Sequence, residues 1–562
     1  MRLKHTFPIA AAVVAITAPA HAEDELVPDN IGALVLDSGR APLPKPDPDE
    51  VRFAAHGEAQ LRGQVERSFP LDVAASTLDK HPGAYADSIG QNAFVTSWVR
   101  VTPKLLIGDK LAVTAQIDLM QGYVFGDTAH DVSADAYPRD NGGNAGNYAA
   151  LRWLYLDWRT PYGLLRVGQQ PNHWGMGLLA NDGDHPSLFG DYRGGAMAER
   201  ILFGTKPGGE HSPFTIAVAG DLVYRDWQAR LSRGDIAWQG VLAAYYEKGY
   251  DQLGIFSVLR SQSTSKQSGY DFNPYTDNLN VGIVDVAGKF ARPVPGSPST
   301  FIFGAAEVAV VAGSTNMLRS PDQAAAGADS HISQYGGAVS LGVVREAHCS
   351  KCTLSRSPID RPDAQAGTWG SFVANIELGY ASGDADPYAD TTHRFTFDPN
   401  HKVGLVLFDE VLRWQTARAS TAAQDPLLAN GNRPTPGVNL LPSNGGVFGA
   451  QYIYPTIIMR PLPTLDLKAG AVIAQTTADN VDPYRVATQG AYVNYLGGDA
   501  RRHDLGIELD GGAEYRMKLD RGLTLQLGAQ AGILFPGGAL ADASGHTMKA
   551  PWLTAGRVGL QY

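Results

Sequence analysis

From Val51 to Tyr562 the chain alternates apolar and polar side chains over runs of about ten residues, and beyond its first twenty positions it holds no long uncharged apolar run. A period of two belongs to extended backbone, because successive side chains of a strand point to opposite faces. In one run Phe53, Ala55, Gly57, Ala59, Leu61, Gly63 and Val65 share a face, while Arg52, His56, Glu58, Gln60, Arg62 and Gln64 share the other. In a second, Leu505, Ile507, Leu509, Gly511, Ala513 and Tyr515 oppose Glu508, Asp510, Glu514 and Arg516. The chain then turns over 518–522 and returns with Leu523, Leu525, Leu527, Ala529, Ala531 and Ile533 against Thr524, Gln526 and Gln530. A third run sets Phe372, Ala374, Ile376, Leu378 and Tyr380 against Ser371, Asn375 and Glu377. One face suits lipid and the other suits water.

Strands of about ten residues have the length that crosses a bilayer at a tilt, whereas soluble strands average about five or six. With no helix candidate long enough to span, a closed barrel is the remaining spanning solution. About 18 such segments (roughly 16 to 18, even as bacterial barrels require) begin near residues 51, 92, 111, 148, 163, 198, 213, 237, 251, 278, 299, 331, 368, 446, 464, 502, 523 and 551. Those near 92, 148 and 198 carry apolar residues on both faces, as in Leu151 to Trp158. The links alternate in length: short at 103–110, 160–163, 248–250, 460–463 and 518–522, long at 126–147, 171–197, 382–445 and 477–501. The expected fold is therefore all-β, a transmembrane antiparallel up-and-down β-barrel with short periplasmic turns, long extracellular loops and both termini periplasmic. A soluble sandwich, propeller or solenoid would have shorter strands around one dry core, and no fixed repeat is present.

The first 22 residues read as an export signal: Arg2 and Lys4, an apolar stretch from Ile9 to Ala18, and a small-x-small site ending at Ala22, where cleavage is expected. Residues 23–50, with Pro42, Pro44, Pro46 and Pro48, suit a periplasmic tail, and 51–562 the barrel. The expected location is the bacterial outer membrane. A net charge of -11 argues against nucleic acid, which requires clustered cations. The two cysteines, Cys349 and Cys352, fall in the one long link on the short-turn side, 345–368, where an exported chain would form a disulfide.

The last segment places Trp552, Thr554, Gly556, Val558, Leu560 and Tyr562 on one face. It resembles the C-terminal strand of outer-membrane proteins, which implies that the barrel-assembly machinery recognises it. The stretch Tyr155-Leu-Asp-Trp-Arg-Thr-Pro-Tyr-Gly-Leu-Leu-Arg-Val-Gly-Gln-Gln170 and the stretch Gly379-Tyr-Ala-Ser-Gly-Asp384 resemble substrate-specific porins and the alginate-export family of barrels. That resemblance implies an 18-stranded pore.

The candidate pore-lining charges are Arg52, His56, Glu58, Arg62, Asp118, Arg166, Glu377, Asp466, Lys468, Glu508, Asp510, Glu514, Arg516 and Arg557. Fixed charges of both signs in an aqueous lumen set solute preference, or pair and keep the wall wet. The link 171–197, with His173, Trp174, Asp182, Asp184 and His185, is either a constriction loop folded inward or an ordinary surface loop. Asp384, Asp386 and Asp390 offer oxygen to Ca²⁺ or form a solvated acidic loop; no glutamate at EF-hand spacing follows. Val403, Leu407, Val411 and Trp414, beside Leu405, Phe408 and Leu412, fit a short amphipathic helix that acts as a lid or plug or packs at the surface. Catalytic signatures such as H-E-x-x-H and G-x-S-x-G are absent from the sequence. The expected function is a channel for small solutes or saccharides, without cofactor or enzymatic activity. The alternatives are a surface-acting barrel hydrolase and a plugged barrel serving adhesion or envelope assembly.

Overall fold

The computed structural model describes residues 50–562 apart from 70–90, 127–148, 186, 192–193, 210–211, 249–250, 264–277, 317–322, 324–325, 346–370, 417–418, 420–441, 463 and 520–521. The expected signal with its Ala22 cleavage site, nearly all of the proline-rich tail, and the Cys349–Cys352 disulfide lie outside the described residues.

Among the described residues the alternating segments form one sheet of nineteen strands. In chain order they are β1 (Val51–Arg67), β2 (Gln91–Ile107), β3 (Leu111–Gly126), β4 (Ala149–Thr160), β5 (Gly163–Pro171), β6 (Met197–Thr205), β7 (Phe214–Arg225), β8 (Ile236–Lys248), β9 (Asp251–Ser263) and β10 (Asn278–Val294). There follow β11 (Ser297–Thr315), β12 (Ser330–Arg345), β13 (Ser371–Ala381), β14 (Thr391–Thr392), β15 (Ala450–Leu462), β16 (Leu465–Thr476), β17 (Asp504–Lys518), β18 (Thr524–Pro536) and β19 (Trp552–Gln561). β14 is a two-residue strip lying parallel to β12; the other eighteen are antiparallel to their sequence neighbours. β19 closes on β1, from Glu58↔Gln561 to Arg67↔Trp552, so the sheet has no free edge.

Closure puts every second side chain outside. The outward rows are apolar and exposed around the whole circumference, with Ile201, Leu259, Val308, Leu341, Ile453 and Leu509 among them. Exposed aromatics gather at both ends of the belt: Tyr162, Phe214, Tyr515 and Tyr562 toward the short turns, Trp238, Tyr335, Tyr380 and Phe535 toward the long loops. A soluble protein does not leave an apolar girdle of this extent in water. The inward rows hold the buried charges, including Arg62, Arg100, Asp118, Arg152, Asp466 and Glu508. Among the described residues no helix is long and apolar enough to cross a membrane.

Two departures from strict alternation have local causes. β4 is apolar on both faces because the register slips between Gln116 and Ile117, so the adjacent Arg152 and Trp153 are both buried while Leu151 and Leu154 stay exposed. Leu505, expected on the lipid face, is buried instead. The register shifts between Ala474 and Gln475 opposite it, and Gly506 has φ +110°, so the outward row begins at Ile507.

Candidate functional site: a lumen crossed by two loops

The wall of the lumen is built from ion pairs between neighbouring strands. Arg100 on β2 holds Asp118 on β3 through Nε–Oδ1 at 2.7 Å and Nη2–Oδ2 at 3.0 Å, and Arg152 Nε on β4 lies 3.7 Å from the same carboxylate. Arg200 on β6 grips Asp221 on β7 at 2.7 Å through both nitrogens. On the far side Arg460 and Arg516 share Asp466, while Lys468, Arg516 and Arg557 converge on Glu514. These pairs meet across strands because inward residues of adjacent strands stand opposite each other.

Residues 172–196 leave β5 and turn inward. Trp174 stacks on Phe256 of β9, with ring centroids 5.2 Å apart. The Glu307 carboxylate on β11 accepts the backbone N–H groups of Met176 and Leu178. Gly175, just before them, has φ +58°, and a Cβ there would lie 2.5 Å from Glu307 Oε2, so glycine is required. Further on, Asp184 pairs with Arg100 at 2.6 Å, and Arg152 donates to the Asp182 carbonyl. Phe189 is buried against Gly470 of β16 and Gly512 of β17, Gly190 N donates to Gln530 Oε1 (3.1 Å), and Gln60 Nε2 on β1 donates to Asp191 (3.1 Å). Only a segment crossing the lumen touches strands so far apart around the barrel.

Residues 382–449 supply the second inward loop. Its described part buries Phe395, Phe397, Leu405, Phe408, Leu412 and Trp414 in an apolar cluster inside the barrel. Residues 407–412 form one wide helical turn, closed by Val411 N to Val406 O at 2.8 Å, and 413–416 continue it as α-helix. The amides that open this turn have no partner within it. Glu508 on β17 supplies one, accepting from Leu405 N (2.5 Å), Val406 N (2.7 Å) and Leu407 N (2.7 Å). The amphipathic segment read from sequence is thus a plug inside the lumen. The two loops also touch: Asp398 N donates to the Leu178 carbonyl (2.6 Å), and His401 bridges Met176 O (3.1 Å) and Glu377 Oε1 (3.0 Å).

Electrostatics follow from this packing. Burial pushes the Asp398 carboxyl up to about 7. Burial works against a charged His401, but the facing Glu377 outweighs it and holds the imidazole above its ordinary value. Burial and the neighbouring His185 push His173 down to about 4. Burial would raise Asp182, yet the hydrogen bond from His185 and the proximity of His173 hold it below the usual carboxylate range.

The remaining sequence candidates are placed as follows. Arg52 pairs with Glu50 at 2.9 Å near the short-turn mouth, and His56, Glu58 and Arg62 continue the same row of β1, with Arg62 donating to Gln64. Arg166 pairs with Asp157 and lies over the Tyr155 ring, 4.5 Å from its centroid. Glu377 accepts from Tyr452 Oη at 2.6 Å as well as from His401. Glu508 is sealed beneath the plug, and Asp510 is buried beside it. Asp384, Asp386 and Asp390 each accept from neighbours within the loops at that end of the barrel: His393 N and Asp386 N, Tyr388 N and Tyr492 Oη, and Gln323 Nε2 respectively. Glu307 is not among the residues expected to line the lumen, although a single acid among Ala305, Ala306, Val308 and Ala309 is itself a signal of an inward partner.

Between the two loops and β8 to β12 lies a cavity of about 240 Å³, well over ten times the ~10–15 Å³ that one water requires. Its charged lining comprises Arg230, Arg260 and Arg394 with Asp226 and Asp235. Three cations against two carboxylates leave one positive charge in excess.

No protein-family model matches the chain, and no curated protein matches it. Among solved structures it is similar to Acinetobacter baumannii OccAB1, with TM-score 0.43 and 9% identity over 90% of this chain and 96% of that one. It is also similar to Pseudomonas aeruginosa OccK11 (OpdR), with TM-score 0.42 and 12% identity over 90% of this chain and 95% of that one. P. aeruginosa OccK2 (OpdF) in complex with glucuronate gives TM-score 0.42 and 10% identity over 90% and 97%.

Proposed function

We propose that the chain is a bacterial outer-membrane channel that passes small solutes or saccharides through a narrowed, charged lumen. The observation that carries this reading is the opposition of the two barrel faces: an exposed apolar belt with aromatic rims outside, and a wall of ion pairs inside, with a cavity lined by apolar side chains and five charged ones. Outer-membrane lipid covers the belt, and the C-terminal strand ending at Tyr562 is the segment the barrel-assembly machinery reads. Both termini face the periplasm, on the short-turn side, and the long loops face outward. The cationic excess in the cavity favours solutes with an anionic group.

The test is single-channel recording of the refolded protein in a planar bilayer. Discrete conductance with modest anion preference in a salt gradient is expected, and R230Q/R394Q, which leaves Arg260 alone against Asp226 and Asp235, should turn it into a modest cation preference. Absence of any discrete conductance, in the wild type and in a variant with a loosened plug, would overturn the channel reading.

A second reading is favoured by one observation. The segment 403–416 fills part of the lumen with fully buried apolar side chains, as a barrel closed for adhesion or envelope assembly would have. Silence in the bilayer together with binding to surface glycans or envelope proteins would support it.

A further inference from the structure

The inward loop 172–196 gathers three metal-ligating side chains, His173, Asp182 and His185. His185 Nδ1 lies 3.0 Å from Asp182 Oδ1, and His173 Nδ1 lies 3.8 Å from the same oxygen. The candidate ligand atoms of all three lie within 4.8 Å of one another. His173 Nδ1 is buried yet has no hydrogen-bond partner, an uncommon state for a buried ring nitrogen. Asp182 is held in place independently of the histidines: its Oδ1 accepts from Asp184 N (2.9 Å), its carbonyl accepts from Arg152, and Ala196 N ties the neighbouring Asn181 carbonyl at 2.7 Å.

We infer that His173, Asp182 and His185 form a binding site for a divalent transition ion of the zinc type. Two imidazoles and one carboxylate suit zinc, copper and nickel, and three protein ligands leave a position for water or solute. A tetrahedral zinc with bonds of about 2.0–2.2 Å sets its ligand atoms about 3.4 Å apart, close to the spacings present. The imidazoles are stacked, with centroids 3.9 Å apart and planes 24° apart. An ion lies in the plane of each ring that binds it, so loading swings one ring out of the stack about its Cα–Cβ bond. A bound ion would then clip the start of the loop, at His173, to the strip that holds Asp182 and His185. This site does not depend on the channel reading.

The test uses the untagged full-length barrel in detergent, stripped of metal, with Zn²⁺ measured by calorimetry and Cu²⁺ as a spectroscopic probe. One ion per chain and a copper resonance split by two imidazole nitrogens are expected. H173A, H185A and D182N should each weaken binding by more than about tenfold, the loss seen even for outer-shell partners. H503A/H546A, which alters exposed histidines elsewhere, should bind as the wild type does. The proposal is overturned if the wild type takes up no stoichiometric ion below 100 µM, if its copper spectrum lacks two nitrogen ligands, or if H173A/H185A binds unchanged. The spectrum reads the wild-type protein, so it decides the matter even where a variant fails to fold.

Discussion

Glu508 Oε2 accepts the backbone N–H of Leu407 at 2.7 Å across 101 positions of sequence, and its other oxygen takes the amides of Leu405 and Val406. One carboxylate therefore satisfies three amides at the head of the plug. In E508Q the amide nitrogen replaces one acceptor and faces Leu407 N–H donor to donor. A lost hydrogen bond to a charged group, with a buried donor left unpaired, costs about 2–3 kcal/mol. The variant should stay a barrel by heat-modifiable mobility, melt at lower temperature, and conduct more than the wild type. Wild-type conductance together with wild-type melting would show that the plug does not hang on this residue.

Asp398 makes a separate prediction about pH. Burial raises its carboxyl to about 7, so the folded protein holds this proton more tightly than the unfolded chain, whose Asp titrates near 3.9. Below about pH 4 both states carry the proton. Between about 4 and 7 the unfolded state ionises first, so stability falls as pH rises through that window and levels off above it, by about 4 kcal/mol at most. Asn at this position can still accept from Asn400 N and Nδ2 as Asp398 does. D398N should therefore raise the melting temperature above pH 7 and flatten the slope. Identical slopes for the two proteins would refute the assignment.

The strands were legible in the sequence because period two is a local property: each run from Val51, Leu111, Gly163, Asp251 or Asn278 announces both its faces within a few residues, and the strand count follows. The inward course of the loops was not. It is fixed by partners such as Glu307 and Leu178, which are 129 positions apart and show no shared period. The glycine, aromatic and polar residues of 171–197 fit a surface loop as well as an inward one. The buried Leu505 was missed for a related reason, since a bulge changes which face a side chain takes without changing the letters around it.

The outward belt makes a prediction that a soluble fold would fail. Ile201 is 62% exposed in the middle of β6, between Val167 on β5 and Gly220 on β7. In water, substitution of an exposed residue shifts stability by about 0.5 kcal/mol or less. In a bilayer, an arginine near the mid-plane costs about 2–4 kcal/mol. I201R should therefore lose that much in lipid vesicles, measured by urea titration of folding. Tolerance of arginine there would remove β6 from the membrane.

The cluster joining β2, β3 and β4 to the first inward loop tests whether the wall's ion pairs position that loop. Arg100 and Asp118 are each 1% exposed, and Arg100 Nη1 also reaches Asp184 of the loop at 2.6 Å. Removing one partner leaves buried charge without compensation, which costs about 3–5 kcal/mol. D118N should lose stability on that scale, because Arg100 and Arg152 then face each other with Asp184 as their shared carboxylate. R100M/D118L removes both charges and fills the space, and a swap of this kind is often neutral or better. It should recover most of the loss in thermal melts. It also removes the Arg100–Asp184 link, so loop 172–196 should be more open to protease than in the wild type. Full protection of the loop in the double variant would mean that its other anchors, Glu307 and Arg152, hold it alone.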